Sequence, residues 1–551
     1  MRFATSLLFA LLLGAASLPA QSARSDAPRP GLDVLHYELS LDLPDTGSTI
    51  AGNDVLTIAR AAPVDSLRLD LVTLHVDSVL VNRRAVRFGR DSADVYVPLP
   101  SGAHDTLTVS VWYGGAPSDG LIIRHDSLGR WTAFGDNWPT RARYWIPSVD
   151  SPDDKATVTW TVRAPANRTV VANGELQERT PLSASADGEA RTPRTLTRWS
   201  ESRPIPTYLM VIAAAPLAYY DLGRTACGLS EIPGCVRQSV YVAPELLDFL
   251  PGPFAHAPDI IQYFASLVAP FPYEKLAHLQ SSTRFGGMEN ATAIFYSDRG
   301  FRTRTMGPSV IAHESAHQWF GDAVTPANFA HLWLSEGFAT YFEALWERHA
   351  FGDSVFRAQM AKIREQIIGS PVIVQRPVVD TAETDYLKLL NTNSYQKGGW
   401  TLHMLRSMLG DSAFFRGIRA YYRAHRGGNA TTDDLRRALE RASGRSLGWF
   451  FDQWLYRPGY AELMTDWRYD RTTHRVVLDV EQGARFAPYR CPLVVELRDA
   501  RGRVRRATVE LRAVRRQRVT VPIALDAPPR VVTFDPDVEL LATITPSREE
   551  R

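Results

Sequence analysis

Cysteine is scarce in this sequence, with three residues among 551, so a scaffold held together by many disulfides is excluded. Cys227 and Cys235 flank a short loop, CGLSEIPGC. In an oxidising compartment this pair is able to close one disulfide across the loop, and zinc chelation by the pair is the weaker alternative. Cys491 lies in YRCPLVVEL, where a thiol behaves as a small apolar residue, and we expect it to be buried.

An excess of charge of either sign is also absent, because 62 Lys and Arg face 60 Asp and Glu, for a formal net charge of +2. Such a balance produces no large electrostatic field, so neither nucleic acid nor an acidic membrane surface is indicated as the main partner. One arginine-dense stretch, RDARGRVRRATVELRAVRRQRV, alternates arginine with apolar residues. That alternation is typical of a solvated strand face rather than of a nucleic-acid patch.

Beyond the N-terminus, the sequence lacks any apolar run of the ~20 residues needed to span a bilayer. The N-terminus itself, MRFATSLLFALLLGAASLPAQSA, has one early cation, a short apolar run from Leu7 to Leu13, and small residues near Ala20 to Ala23. This pattern predicts a cleaved signal peptide at residues 1–23 and export to the periplasm or the medium. A membrane anchor is the alternative, but the apolar run is shorter than the ~20 residues needed to span a bilayer. The segment has no cysteine, so a lipoprotein anchor is unsupported.

The remaining sequence changes its hydrophobic period twice, and its length suits roughly three domains. Short alternating segments such as HYELSLDL and KATVTWTVRAP predict an all-β domain over residues 24–219. Apolar residues at helical spacing, as in GFATYFEALWERHAF, predict a mostly helical domain over residues 220–456. Alternating segments return over residues 457–551 and predict a small β-sandwich. The predicted fold class is therefore multidomain α+β.

The stretch IAHESAHQWFGD places two histidines four positions apart inside an apolar run. On an α-helix, residues at this spacing lie on one face, so His313 and His317 are able to direct ring nitrogens at one metal ion. Glu314 then lies beside that ion. Two histidines leave a zinc site incomplete, because catalytic zinc sites commonly take a third protein ligand and keep one position open.

Glu336 is the candidate for the third ligand. It follows His317 after eighteen intervening residues and stands near the start of a second helical pattern. A lone glutamate near a helix start more often interacts with the helix dipole or with solvent, so this assignment depends on the upstream histidines.

Together, these residues resemble the gluzincin aminopeptidases, the family of aminopeptidase N and leukotriene hydrolase, in which His-Glu-x-x-His is followed by eighteen residues and a glutamate. The resemblance implies one Zn²⁺ ion per chain, held by His313, His317 and Glu336. It also implies that zinc activates a water molecule and that Glu314 is the general base that removes its proton.

The stretch RFGGMEN resembles the exopeptidase motif of the same family, Gly-x-Met-Glu-Asn. Glycines allow a substrate backbone to approach closely, and a carboxylate is able to pair with a free α-ammonium group. By this resemblance Glu289 binds the substrate amine, and peptides with a free N-terminus are the expected substrates. The predicted substrate-binding residues of this stretch are Gly286, Gly287, Met288, Glu289 and Asn290.

The resemblance extends over nearly the whole chain after residue 23. Tyr395, in NSYQKGGW, is implied as a hydrogen-bond donor to the oxyanion. RARYWIPSVDSPDDKATVTWTV and VVANGEL resemble the N-terminal saddle of the family, which is followed by a thermolysin-like catalytic domain. By the same resemblance we expect a short form of the family, without the large C-terminal helical domain of longer members. Many relatives hold the substrate amine with a second acidic residue, for which Asp136 is the candidate.

Two other functions remain open on the sequence. An endopeptidase with the same zinc chemistry has no need of Glu289. A non-catalytic scaffold is expected to lack a metal ligand or the base, whereas His313, Glu314, His317 and Glu336 are all present. The side chain preferred at the first substrate residue, the natural substrate and the oligomeric state are not readable from the sequence.

Overall fold

The structure is a computed structural model that describes residues 29–182, 192–225 and 236–546. The predicted signal peptide at residues 1–23 and the loop of Cys227 and Cys235 lie outside these residues. Cys491 is buried as expected and has no disulfide partner within the described part of the chain. Burial raises the pKa of its thiol to about 12. Among the described helices, none is both long and apolar enough to cross a membrane.

The N-terminal part is built from strands, as the alternating pattern predicts. Strand β1 shows the reason: Tyr37, Leu39 and Leu41 are fully buried, and the residues between them face outward or are partly exposed. The strands are β1 Leu32–Asp42, β2 Ile50–Arg60, β3 Ser66–Asp70, β4 His75–Val81, β5 Arg84–Ala85, β6 Gly89–Arg90, β7 Asp94–Pro98, β8 Asp105–Gly115, β9 Leu121–His125, β10 Trp131–Gly135, β11 Lys155–Pro165, β12 Thr169–Ala172, β13 Glu175–Leu182, β14 Arg194–Pro206 and β15 Ile212–Ala215.

These strands form three sheets. The largest has the order β13-β14-β11-β1-β2-β8-β4-β5 and is antiparallel except for the pair of β1 and β11. A second has the order β12-β15-β10-β9, and a third has the order β3-β7-β6. Trp145 and Trp160 stack at 5.6 Å between ring centroids in the core. This part forms the predicted N-terminal β domain.

The middle of the chain begins with a sheet before it becomes helical. Its strands have the order β16-β17-β18-β20-β19, with parallel pairing of β18 to both β17 and β20. The strands are β16 Ala218–Thr225, β17 Val236–Val242, β18 Lys275–Ser281, β19 Gly287–Met288 and β20 Ala293–Ser297, followed later in the chain by the pair β21 Val324–Pro326 and β22 Gly428–Ala430.

The sequence pattern alone did not reveal this sheet. In β18 only Lys275 is partly exposed and the other residues are buried, so it lacks the alternation by which a strand with one solvated face is recognised. The α-helices of this middle part are α1 Ala257–Leu267, which lies between β17 and β18, α2 Asp298–Arg302, α3 Pro308–His317, α4 Trp333–Phe351, α5 Asp353–Gly369, α6 Pro371–Gln375, α7 Gly398–Leu409, α8 Asp411–His425, α9 Thr432–Ser443 and α10 Gly448–Leu455.

The last part of the chain is a pair of sheets, as predicted. One has the order β27-β24-β23-β29 and the other β26-β25-β28. The strands are β23 Ala461–Asp470, β24 Arg475–Gln482, β25 Cys491–Arg498, β26 Val504–Leu511, β27 Arg516–Ala524, β28 Val531–Phe534 and β29 Ala542–Pro546. The predicted fold class, a β-rich N-terminal domain, a mostly helical catalytic domain and a strand-rich C-terminal domain, is confirmed.

Candidate metal centre

Helix α3 carries both histidines of the predicted metal site. It begins at Pro308, whose missing N–H costs nothing at a helix start, and it ends at His317. His313 and His317 lie one turn apart on the same face, with ring centroids 5.0 Å apart. Their spacing in the sequence therefore becomes a pair of imidazoles directed at the same point.

Helix α4 supplies the third group. Glu336 lies in its first turn, and its Oε2 atom is 3.3 Å from the Nε2 atom of His313 and 3.3 Å from that of His317. The three potential ligand atoms lie within 4.8 Å of one another. Two imidazole nitrogens and one carboxylate oxygen are a donor set that zinc accepts, so the residues fit the ion that the sequence predicts.

The outer nitrogens of both imidazoles also have partners. The Nδ1 atom of His313 lies 3.2 Å from Oε2 of Glu343. The Nδ1 atom of His317 lies 2.9 Å from Oγ of Ser335 and 3.2 Å from the carbonyl oxygen of Phe320. An imidazole that donates from Nδ1 presents an unprotonated Nε2, which is the form that coordinates a metal. These contacts therefore hold both rings in the tautomer and orientation that bind a metal ion.

The sequence analysis did not identify Glu343 or Ser335. Glu343 follows Glu336 by about two turns of the same helix, so its position on the same face was a usable signal. Ser335 precedes Glu336 directly and carries no such signal, because only the packing of α4 against α3 brings its hydroxyl to His317.

Burial and proximity shift the pKa values of these groups. Burial alone would raise the pKa of Glu336, but His317 and His313 outweigh it and lower that pKa to about 2. For His313, burial disfavours the charged form, yet hydrogen bonds to Glu336 and Glu343 raise its pKa well above the usual value. The carboxylates therefore favour positive charge at this point, either a proton on an imidazole or a metal ion in its place.

Glu314 lies beside the ligand cluster, as predicted for a base that does not coordinate the ion. It is buried, and burial raises its pKa to about 7 although His313 and His317 act in the opposite direction. Its carboxylate packs against the backbone of Gly287. A carboxylate oxygen of Glu314, one of Glu289 and a ring nitrogen of His317 all lie within 4.8 Å of one another. The candidate base and the candidate amine anchor are therefore neighbours.

The other residues of the predicted substrate loop surround this pair. Gly286 borders open space, whereas Gly287 and Met288 form β19 and pair with β20. Burial raises the pKa of Glu289, and nearby Glu336 acts in the same direction against His317. The side chain of Asn290 is buried, and within the described residues its polar atoms have no hydrogen-bond partner.

Tyr395 is brought to the cluster from a distant segment. Its hydroxyl donates a hydrogen bond of 2.8 Å to Oε1 of Glu336, and its ring lies nearly parallel to that of His313 at 6.1 Å between centroids. The residue lies in a single π-helical turn, Asn393–Lys397, directly before α7. Such turns occur frequently at functional sites. The predicted oxyanion donor thus stands at the metal site.

Asp136 has a different environment from the predicted one. Its carboxylate is buried, 2.7 Å from Nη2 of Arg141 and 3.8 Å from Nε of Arg284. Its role as a second amine anchor stays a prediction, and these two arginines weigh against it because they already compensate its charge. The sequence alone could not show this pairing, since Arg284 comes from the catalytic domain.

Comparisons with known proteins agree with this architecture. The profile of the Peptidase M1 N-terminal domain matches residues 34–209, and the profile of the Peptidase family M1 domain matches residues 254–454. The crystal structure of an M1 zinc metallopeptidase from Deinococcus radiodurans superposes with a TM-score of 0.68 at 27% identity, covering 78% of this chain and 94% of that chain.

Curated relatives are longer than this chain. Aminopeptidase N of Lactococcus lactis subsp. lactis is 26% identical over 466 residues, which cover 78% of this chain and 52% of the relative. Aminopeptidase N of Streptomyces lividans is 30% identical over 454 residues, which cover 78% of this chain and 50% of the relative. The chain thus spans about half the length of these relatives. Because profiles of both M1 domains match it and the metal-ligand cluster lies inside the second, the chain belongs to peptidase family M1.

Proposed function

We propose that this protein is a zinc aminopeptidase, with one zinc ion per chain, that removes the N-terminal residue of peptides. The observation that carries the proposal is the closeness of Glu289 to Glu314 and His317, with oxygen and nitrogen atoms within 4.8 Å of one another. A buried carboxylate at this distance from a hydrolytic centre offers a counter-charge to a free α-ammonium group. A substrate whose α-ammonium group pairs with Glu289 would therefore have its first peptide bond, rather than an internal one, beside the metal ligands.

The chemistry follows from the groups around the cluster. Zinc held by His313, His317 and Glu336 would supply Lewis acidity, which lowers the pKa of water and polarises a carbonyl group. Glu314 accepts a proton from the attacking water and transfers it to the peptide nitrogen as the C–N bond breaks. Tyr395 donates a hydrogen bond to the carbonyl oxygen while that oxygen gains negative charge. The products are an amino acid and a peptide with a new free amine.

The names of relatives support this activity. The curated relatives from L. lactis and S. lividans are named aminopeptidase N. A mutant of the D. radiodurans metallopeptidase was solved with a Tyr-Ser-Ala substrate, and this chain covers 98% of it.

The loop before Glu289 also indicates a side-chain preference. Phe285 is partly exposed and packs edge-on against Trp138, with 6.0 Å between ring centroids. Trp138 packs in turn on Phe329, with 5.5 Å between centroids. Tyr386 packs on Phe329 at 4.9 Å. We infer that the partly exposed rings of Phe285 and Tyr386, which pack on the buried Trp138 and Phe329, favour substrates whose first residue is aromatic, since aromatic rings pair favourably with one another. A mutant of the D. radiodurans peptidase was also solved with L-tryptophan.

The principal competitor is an endopeptidase with the same metal chemistry. An endopeptidase cleaves internal bonds, so it gains nothing from a carboxylate that pairs with an α-ammonium group. A non-catalytic scaffold is disfavoured by the intact set of His313, Glu314, His317 and Glu336.

The test compares amino-acid arylamides with the same compounds N-acetylated, with and without a chelator. We expect efficient hydrolysis of the free-amine forms and only a low rate on the acetylated forms, loss of activity with the chelator, and faster turnover of Phe and Trp arylamides than of Ala. Glu289→Ala should lower kcat/KM for free-amine substrates by roughly 10² or more, because removing one partner of a desolvated ion pair costs ~3–5 kcal/mol. Equal cleavage of acetylated and free substrates by the wild type would establish the endopeptidase instead.

We also propose that the enzyme is exported. The support is the sequence of residues 1–23, with Arg2, the apolar run from Leu7 to Leu13 and small residues near Ala20 to Ala23. N-terminal sequencing of protein from the extracytoplasmic fraction should begin close to these small residues. Recovery in the cytoplasm with an intact N-terminus would contradict it.

A further inference from the structure

The turn that carries Glu289 has an unusual backbone. Residues 289–292 connect β19 to β20, and the carbonyl of Asn290 accepts a hydrogen bond of 2.8 Å from the N–H of Ala293. Thr292 is fully buried and has a φ of 65°, in the left-handed region. A β-branched residue in that region costs on the order of 1–3 kcal/mol and persists only where the surroundings impose it.

Gln318 holds this turn from the side of the metal site. Its Nε2 atom donates to the carbonyl of Glu289 at 2.9 Å, and its Oε1 atom accepts from the N–H of Thr292 at 2.9 Å. Nε2 also donates to Oδ2 of Asp322 at 2.8 Å. Gln318 is fully buried and directly follows the metal ligand His317. One side chain therefore spans both ends of the turn and joins it to the helix of the histidines.

Asn173 holds the same turn from the N-terminal β domain. Its Nδ2 atom donates to the carbonyl of Ala291 at 2.7 Å and to that of Leu209 at 2.8 Å. Its Oδ1 atom accepts from the N–H of Val211 at 2.7 Å, so the amide is satisfied on both sides. The N–H of the next residue, Gly174, donates to the hydroxyl of Thr292 at 2.7 Å.

The two amides act on different parts of one short segment. Gln318 determines where the turn stands relative to the metal ligands, and Asn173 determines where it stands relative to the N-terminal domain. A hydrogen bond to a buried backbone group is costly to lose, since the group left behind stays desolvated. Neither the turn nor the carboxylate on it is therefore free to shift.

We propose that Gln318 and Asn173 are positioning residues for Glu289, which set the distance from the amine anchor to the metal ligands and so impose the requirement for a free N-terminus. The inference rests on the proposed role of Glu289 as the amine anchor. Displacement of a reacting group by about 1 Å is enough to cost ~10² in rate, so small movements of this turn should be measurable.

The experiment uses the full chain with Gln318→Met, which keeps length without the amide, and Asn173→Ala. The control is Gln482→Met in the C-terminal domain. Gln482 is also buried and clamps a backbone in the same manner, with Nε2 donating to the carbonyl of Tyr489 at 2.8 Å and Oε1 accepting from its N–H at 2.7 Å. For each protein, kcat and KM are measured on a free-amine arylamide and its acetylated form, together with zinc content and Tm.

We expect the ratio of kcat/KM for free over acetylated substrate to fall about 10-fold or more in Gln318→Met and in Asn173→Ala. Zinc content and the low rate on the acetylated substrate should not change. The control should have a lower Tm and the wild-type ratio of kcat/KM for free over acetylated substrate, because a loss of stability alone does not alter selectivity. If Gln318→Met does not fold, Asn173→Ala tests the inference from the other domain.

Wild-type ratios in both variants, an equal fall in the control, or a fall that follows zinc loss would overturn the inference. A wild type without preference for free amines would instead overturn the proposed function, so the two failures are distinguishable.

Discussion

The Nδ1 atom of His313 lies 3.2 Å from Oε2 of Glu343, while its Nε2 atom lies 3.3 Å from Oε2 of Glu336. Both carboxylates belong to helix α4, so one helix supplies the third metal ligand and also orients the first. A carboxylate behind a ligating histidine fixes the tautomer and raises the basicity of the ring. The metal site is thus a property of two packed helices rather than of one motif.

The roles of these two carboxylates predict different effects on zinc. Glu336→Ala should abolish stable zinc binding, since it removes a ligand. Glu343→Ala should weaken zinc affinity about 10- to 100-fold, with activity recovered at excess zinc, because it removes only the orienting group. Titration against a competing chelator measures both. Glu343→Gln retains a hydrogen-bond acceptor and is the matched control, expected to lie closer to the wild type. Equal zinc affinity in Glu343→Ala and the wild type would remove this role.

Glu314 stands beside the ligands and not among them, so its substitution should separate chemistry from metal binding. Glu314→Gln is expected to retain zinc and to lower kcat by about 10²–10⁴, the usual contribution of a general base. Metal analysis and steady-state kinetics on the same preparation provide the check. Turnover near the wild-type level would mean that another group removes the proton from water.

Tyr395 donates to Glu336 in this structure and should redirect its hydrogen bond to the substrate oxygen during the reaction. Tyr395→Phe is expected to lower kcat by about 10²–10³, the scale for loss of one oxyanion donor, with zinc content unchanged. A rate close to normal in the phenylalanine variant would assign the residue to packing against His313.

We expect His278 to make the folded protein less stable in acid. It is fully buried in β18, where Nδ1 lies 2.9 Å from the hydroxyl of Tyr296, and burial lowers its pKa to about 3. In the unfolded chain its pKa is ~6.5, so the unfolded state binds more protons between these values. Stability from neutral His278 is therefore present above pH ~6.5 and declines as the pH falls towards 3.

Between pH 7 and pH 5 this one group should cost the wild type ~2 kcal/mol of unfolding free energy. His278→Gln should show a decline smaller by about that amount in urea denaturation, whatever its stability at pH 7. Identical pH dependence in the two proteins would show that His278 is able to charge without unfolding.

Much of this protein was readable from local sequence patterns. Alternating residues in β1 and the strands of the C-terminal domain predicted sheets, because one face of each strand is buried and the other is solvated. The spacing of His313 and His317 determined that both rings lie on one face of α3, since the geometry of a helix allows no other arrangement. The same helix geometry placed Glu314 beside the ion, whereas its role as the base was implied by the resemblance to the gluzincin aminopeptidases.

Contacts between segments that are distant in the chain were decided only by the tertiary structure. The sheet of order β16-β17-β18-β20-β19 was missed because strand β18 is buried on both faces and loses the alternating signal. The arginines around Asp136, the hydroxyl of Ser335 behind His317, and the amides of Gln318 and Asn173 on the Glu289 turn leave no periodic trace. Hydrogen bonds and ion pairs act over about 3–4 Å, and only the packing of domains and helices determines which polar groups come that close.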